Sequence, residues 1–280
     1  MAGGWPRYGA LGDDVRVTQV PGDAADSADL ADSADLADSP DLADSADEAR
    51  TAELRENLAE VRARIAAACA AAGRPASEVS LVAVTKTFPV SDIRLLSRLG
   101  VTDVGENRDQ EAAPKAAQAT AMRLPLTWHF VGQLQVNKAA SVASYADVVH
   151  SVDRLRLVSA LGRRAVASGR ELRCLIQVGL DEAEGRGGAR PGEVAGLAGA
   201  IEAEPGLWLG GGMAVAPLGA PPRPAFRRLR EIAGAVRDRY PQATTISAGM
   251  SGDLEDAIAE GATLVRIGTA LLGGRPAFVR

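Results

Sequence analysis

Cysteine, histidine and aromatic residues are scarce in this 280-residue chain, with two Cys, two His, three Trp, three Tyr and four Phe. Cys69 and Cys174 have neither metal nor redox spacing, which argues against a disulfide framework or a metal centre and for a reduced, cytoplasmic protein. No apolar run approaches the roughly 20 residues that span a bilayer. Met1 to Ala10 show no basic segment followed by an apolar one, so neither membrane insertion nor secretion is expected. Hydrophobic residues nevertheless make up 46% of the chain, enough for a sizeable core.

The net charge of -5 is unevenly spread. Residues 1–49 hold two arginines, Arg7 and Arg16, against twelve acids, leaving 29 bases against 24 acids in the rest. The main body is therefore mildly basic, which suits a small anionic ligand but is far from the balance of a nucleic-acid binder. Residues 26–49 are four hexapeptides built on Asp-Ser-Ala-Asp-Leu-Ala, with nine acids and no base. Like charges repel, and one leucine in six cannot form a core. Residues 1–49 are thus expected to be a disordered acidic tail of low complexity.

From residue 50 the pattern changes. Leu54, Leu58, Val61, Ile65 and Cys69 recur at helical spacing up to Gly73, predicting a helix over 50–72. Leu81-Val82-Ala83-Val84-Thr85-Lys86 then forms a short β-branched run ending in a lysine, the mark of a strand buried on both faces. Strands are expected at 79–85, 102–105, 127–131, 147–150, 172–178, 207–214, 244–247 and 263–267. Helices are expected between them at 90–98, 108–120, 136–144, 153–168, 191–203, 223–238 and 252–260. Eight strands in about 200 residues argue for a single (β/α)8 barrel of the TIM type over 50–280. A doubly wound sheet would favour a Gly-x-Gly-x-x-Gly turn after the first strand, and Thr85-Lys86-Thr87-Phe88-Pro89 is nothing like one.

Barrel chemistry gathers at the C-terminal strand ends. Lys86 ends the first strand, Gly105-Glu106-Asn107 the second, Met213 the sixth, Ser247-Ala248-Gly249-Met250-Ser251 the seventh, and Arg266-Ile267-Gly268-Thr269 the eighth. Ser251 is placed to cap the helix at 252–260, whose free N–H groups favour an anion. With Gly268 and Thr269 it makes a candidate phosphate cradle. Arg266 shares a strand face with Leu264 and Gly268 and needs a buried acceptor, for which Glu106 is a candidate. A lysine, a phosphate cradle and an inward arginine together fit pyridoxal 5'-phosphate, which carries an aldehyde, a phosphate and a ring nitrogen.

Five segments in order, Val84-Thr85-Lys86, Gly105-Glu106-Asn107, Trp128 to Lys138, Gly249-Met250-Ser251 and Val265 to Thr269, resemble the pyridoxal phosphate homeostasis protein family over about residues 53–274. The resemblance implies an alanine-racemase-type barrel. It also implies a Schiff base at Lys86, Arg266 facing the ring nitrogen, and Ser251, Gly268 and Thr269 on the phosphate. Asn107, Met213, Ser247 and Gly249 complete the expected cofactor-binding set. Val136 and Arg186 depart from the family's usual residues, and the acidic repeat has no counterpart in it. The function so implied is intracellular homeostasis of pyridoxal phosphate by a monomer that hands cofactor to apo enzymes, with no nucleic-acid or membrane partner and no catalysis of its own.

The alternative is an amino-acid racemase or related enzyme. Racemases of this fold add a tyrosine from a further β domain, and this chain ends about ten residues after its last strand. Tyr8, Tyr145 and Tyr240 fall in the tail or on predicted helices. His129 and His150 lie in strands and are expected to be hydrogen-bonded there rather than to act as a second base.

Overall fold

The structure, a computed structural model, describes residues 40–180 and 187–274, with side chains from residue 47 onward. Its centre is a closed barrel of eight parallel strands in sequence order. They are β1 Ser80–Val84, β2 Asp103–Glu106, β3 Thr127–Phe130, β4 Val148–Val152, β5 Leu172–Gln177, β6 Leu207–Met213, β7 Thr245–Ser247 and β8 Leu264–Ile267. Between them run α2 Val90–Arg98, α3 Asp109–Ala121, α4 Ala139–Tyr145, α5 Leu155–Ala167, α6 Val194–Ala203, α7 Pro222–Arg239 and α8 Leu254–Ala259. The expected (β/α)8 barrel is the fold observed.

Two helices lie outside that alternation: α1 Pro40–Ala71 before β1, and the single turn α9 Thr269–Leu272 after β8. Because α9 is a single turn, α1 covers the β8–β1 seam. Leu54, Leu58, Val61, Ile65 and Cys69 pack in one cluster with Ala83 of β1 and with Val265 and Ile267 of β8. Asn57 Nδ2 donates to the Leu271 carbonyl at 3.1 Å, and Arg50 reaches both the Leu272 carbonyl (3.0 Å) and Asp92 of α2 (2.7 Å).

The start of α1 corrects the expected boundary. The apolar spacing predicts a start at residue 50, but the helix begins at Pro40, so the last ten residues of the acidic repeat are helical. Proline suits a first helical turn, where its missing N–H is no loss, and acids favour the positive end of the helix dipole. Asp47 then pairs with Arg94 of α2. Residues 1–39 of the predicted tail lie outside the described residues.

Alternation assigns the faces of the sheet. Ala83, Val265 and Ile267 point outward to α1, whereas Val148, Leu175 and Met213 form an inner cluster. In register, Val82 of β1 sits opposite Arg266 of β8, and Val84 opposite Gly105 of β2. The inner face therefore carries polar groups as well as aliphatic ones.

Candidate active site at the C-terminal mouth of the barrel

Lys86 stands two residues past the end of β1, half-buried, continuing the inner face of Val82 and Val84. Its neighbours are held from the outer side. Thr85 Oγ1 donates to Glu106 Oε1 at 2.7 Å, and the Thr85 carbonyl accepts from Lys115 Nζ at 2.9 Å. Lys115 also pairs with Glu106 at 2.8 Å. Thr87 adopts φ 69, a strained left-handed backbone for a β-branched residue, and its N–H donates to Glu111 Oε2 at 3.2 Å. With both threonines tied back to β2 and α3, the lysine between them is directed to the mouth.

Glu106 thus has a different partner from the one anticipated. Its place on β2 turns it outward, so it holds Lys115 and not Arg266. Burial pushes its carboxyl above the ordinary range, partly offset by Lys115 and Thr85.

β8 lies beside β1, so the segment after it reaches the same mouth. A Cβ on Gly268 would lie 3.4 Å from the carbonyl oxygen of Val84, which places Gly268 directly beside the end of β1. Ser251 does not cap α8, which begins at Leu254 after Asp253. Its hydroxyl instead accepts from the Ala270 N–H at 3.2 Å and ties the β7–α8 loop to the segment after β8. Gly249, at φ 90, lets the chain turn there, and a Cβ on it would meet Ala257 at 2.8 Å. The N–H groups of Ser251, Gly252, Gly268 and Thr269 find no backbone acceptor among the described residues. Four such donors on two joined loops are a set of free N–H groups suited to a phosphate.

Arg266 lies below this cradle, 5% exposed. Its Nη1 donates to Ser247 Oγ at 2.5 Å and its Nη2 to the Ala214 carbonyl at 3.0 Å. Burial pushes its pKa down to about 10, with some support from Asp253, so it stays charged at neutral pH. Ser247 is fully buried beneath the mouth, and Met213 packs with Val148 and Leu175 as the inner floor. Asn107 is half-buried just past β2. Its carbonyl oxygen would lie 2.0 Å from a Cβ on Gly132, so only glycine fits after β3.

The structure therefore brings Lys86, Gly249, Ser251, Arg266, Gly268 and Thr269 to one end of neighbouring strands, with Ser247 and Met213 beneath them and Asn107 on the β2 side. Lys138, in the third motif, points elsewhere and lies 3.7 Å from Asp109. Arg186 falls outside the described residues. The clamp made by Lys115 and Glu111 and the hydrogen bond of Asp103 to His129 are not visible in the sequence. A helix lysine and a strand-initial aspartate carry no local signal; only the register between strands shows what they reach. Grooves of about 270 to 390 Å³ occur on the N-terminal and outer surfaces. The convergence of side chains, and not the size of a hollow, makes the mouth the candidate site.

The family profile described as alanine racemase, N-terminal domain, matches residues 51–276. A Mycobacterium tuberculosis protein named pyridoxal phosphate homeostasis protein is 44% identical over 243 residues, covering 81% of this chain and 94% of that protein. The structure of PipY from Synechococcus elongatus, solved with PLP bound, is 35% identical with a TM-score of 0.69, covering 79% of this chain and all (100%) of that one. Alanine racemase from Streptomyces coelicolor shares the fold at 21% identity and TM-score 0.62, and this chain covers 58% of it. Motifs, barrel and relatives agree, and the chain belongs to the pyridoxal phosphate homeostasis protein family.

Proposed function

We propose that the barrel binds pyridoxal 5'-phosphate covalently at Lys86 and holds it for delivery to apo enzymes, without turning over amino acids. The observation that carries this is the juxtaposition of β1 and β8, which sets Gly268 beside Val84, two residues before Lys86, with Arg266 on the same inner face. The donor set fits the group: four backbone N–H groups for its phosphate, a lysine amine for its aldehyde and a guanidinium for its ring nitrogen. When bound, the cofactor supplies an electrophilic carbon and an electron-withdrawing ring. Lys86 provides the attacking amine, presented by the Thr85 and Thr87 clamps. Arg266 is donor-only and charged, so it keeps a ring nitrogen unprotonated and the electron sink weak. PipY was solved with PLP bound, and the curated relatives are named for its homeostasis.

Restriction to carriage is supported by what stands around the mouth. Tyr145 lies at the end of α4 and Tyr240 caps α7, so neither follows a strand. Both histidines are buried in the barrel core. Among the described residues no tyrosine or histidine stands at a strand end as a second proton donor would, and such help is worth about 10²–10⁴-fold in rate.

The deciding experiment is visible absorbance after adding pyridoxal 5'-phosphate, followed by borohydride reduction and peptide mapping. A single pyridoxyl group at Lys86, lost in Lys86→Ala, is the expected result. A group carried instead by Lys115 or Lys138 overturns the assignment.

A further inference from the structure

The chain's two histidines touch each other in the centre of the barrel, and neither is used by the chemistry above. His150 is fully buried and His129 is 4% exposed. A continuous hydrogen-bonded chain runs through them. Arg266 Nη1 meets Ser247 Oγ at 2.5 Å, and Ser247 Oγ meets His150 Nδ1 at 3.0 Å. His150 Nε2 meets His129 Nδ1 at 2.8 Å, and His129 Nε2 meets Asp103 Oδ1 at 2.9 Å. Asp103 begins β2, so the chain crosses the barrel from its C-terminal mouth to its N-terminal end. There Asp103 lines a groove of about 350 Å³ with Thr102 and Ser80.

The donors in this chain can be assigned. Arg266 can only donate, so Ser247 accepts from it and directs its single proton to His150 Nδ1. A neutral His150 then carries its proton on Nε2 and donates to His129 Nδ1. His129 in turn carries its proton on Nε2 and donates to Asp103. The carboxylate is the one member that needs no proton to give. Although burial raises the Asp103 pKa, hydrogen bonds from His129 and Thr102 hold it below the ordinary range, so it is ionised. Burial first, and the fields of Arg266 and Arg173 after it, keep His150 neutral.

Arg266 has a need that this chain meets. It is a buried guanidinium with no carboxylate at ion-pair distance among the described residues; its acceptors are a hydroxyl and a carbonyl. Isolated buried charge is costly. Asp253 is the acid whose field reaches it, although Asp253 Oδ1 is taken by the Met250 N–H; the direct field of Asp103 falls on Arg173, so Asp103 must act on Arg266 through the chain. A chain of aligned donors polarises each link in turn.

We infer that Asp103 is the remote counter-charge of Arg266, acting from the opposite end of the barrel through His129, His150 and Ser247. Asp103 and the two histidines are then positioning residues for the ring-nitrogen end of the site. This rests on the cofactor reading above, but its core can be tested without ligand.

With two histidines in the sequence, ¹⁵N spectra of the full chain resolve both rings. Each ring should carry a proton on Nε2 and accept at Nδ1. An Nδ1–H tautomer at either ring, or a doubly protonated His150, overturns the inference. In Asp103→Asn the His150 and Arg266 resonances should move, although neither residue touches position 103, and Asp103→Glu should restore them. Added pyridoxal 5'-phosphate should bind Asp103→Asn about tenfold more weakly, the effect of losing one charge-assisted hydrogen bond, with a shifted visible band. A response confined to His129, with Arg266 and the band unmoved, overturns the inference. Should Asp103→Asn not fold, Ser247→Ala cuts the chain at its other end. His150 Nδ1 should then lose its hydrogen-bonded shift, and an unchanged shift counts against the chain. Failure of the unaltered protein to bind the cofactor would sink the carrier proposal, while the ligand-free tautomers would still judge the relay.

Discussion

His150 makes stability depend on pH in a definite direction. Its ordinary value is 6.5 and the fold depresses it well below that, through burial first and neighbouring positive groups second. Below about pH 6.5 the unfolded chain therefore binds a proton that the folded chain refuses. The stabilisation is complete above that value and falls on acidification by about 1.4 kcal/mol per pH unit. The melting temperature should drop steadily from pH 7 to pH 5, and His150→Gln should flatten that slope. An equal slope in the variant would show that another group is responsible. Gly132 invites a second test at this scale. An added Cβ would lie 2.0 Å from the Asn107 carbonyl oxygen, a backbone atom that cannot rotate away. Gly132→Ala should therefore destabilise by about 1–3 kcal/mol, as overpacking does, and weaken cofactor binding by displacing Asn107. Calorimetry alongside a binding titration separates the two effects.

Among the elements, α1 is the one whose role least resembles its place in the sequence. It precedes the barrel yet closes it, because the turn after β8 is too short to cover the last seam. Leu54 is fully buried in the cluster it shares with β1 and β8. Leu54→Ala should cost about 2–5 kcal/mol, the usual range for a buried leucine, measured by denaturant unfolding. Removal of residues 1–49 should have a small effect. The side-chain tie the described residues show from this stretch is Asp47 to Arg94, a partly exposed pair worth about 1 kcal/mol at most. Removal through Gly73 exposes the β8–β1 seam and should abolish folding. A truncation to Arg50 that melts many degrees lower would show that the acidic segment packs on the barrel.

For the whole molecule, the prediction concerns turnover. The barrel brings Lys86 to its mouth, and no tyrosine follows a strand among the described residues. Incubation of the cofactor-loaded protein with L-amino acids in deuterated water should give slow α-carbon exchange without accumulation of the D-isomer. Rapid exchange with inversion would sink the carrier proposal. Transfer should show instead as reconstitution of an apo pyridoxal-phosphate enzyme faster than free ligand achieves at the same concentration.

The regular alternation of strands and helices made the barrel legible from the chain alone, because β-branched runs buried on both faces read as parallel strands, and eight of them with no Gly-x-Gly-x-x-Gly turn after the first fit a closed barrel better than a doubly wound sheet. The lysine after β1 and the glycine-bearing ends of β7 and β8 were legible for a related reason: in such a barrel, position along a strand decides which end a residue reaches. Partners across strands were not legible. Ser251 was expected to cap the following helix and binds the Ala270 N–H; Glu106 was a candidate partner for Arg266 and binds Lys115. The start of α1 was placed ten residues late because charge repulsion and sparse leucine describe an isolated segment, whereas Asp47 finds Arg94 only once the barrel exists. His129 and His150 could be recognised as strand residues, but their meeting with Asp103, Ser247 and Arg266 depends on the register between strands. That register is decided by closure of the sheet, a property of all eight strands together and of no local stretch.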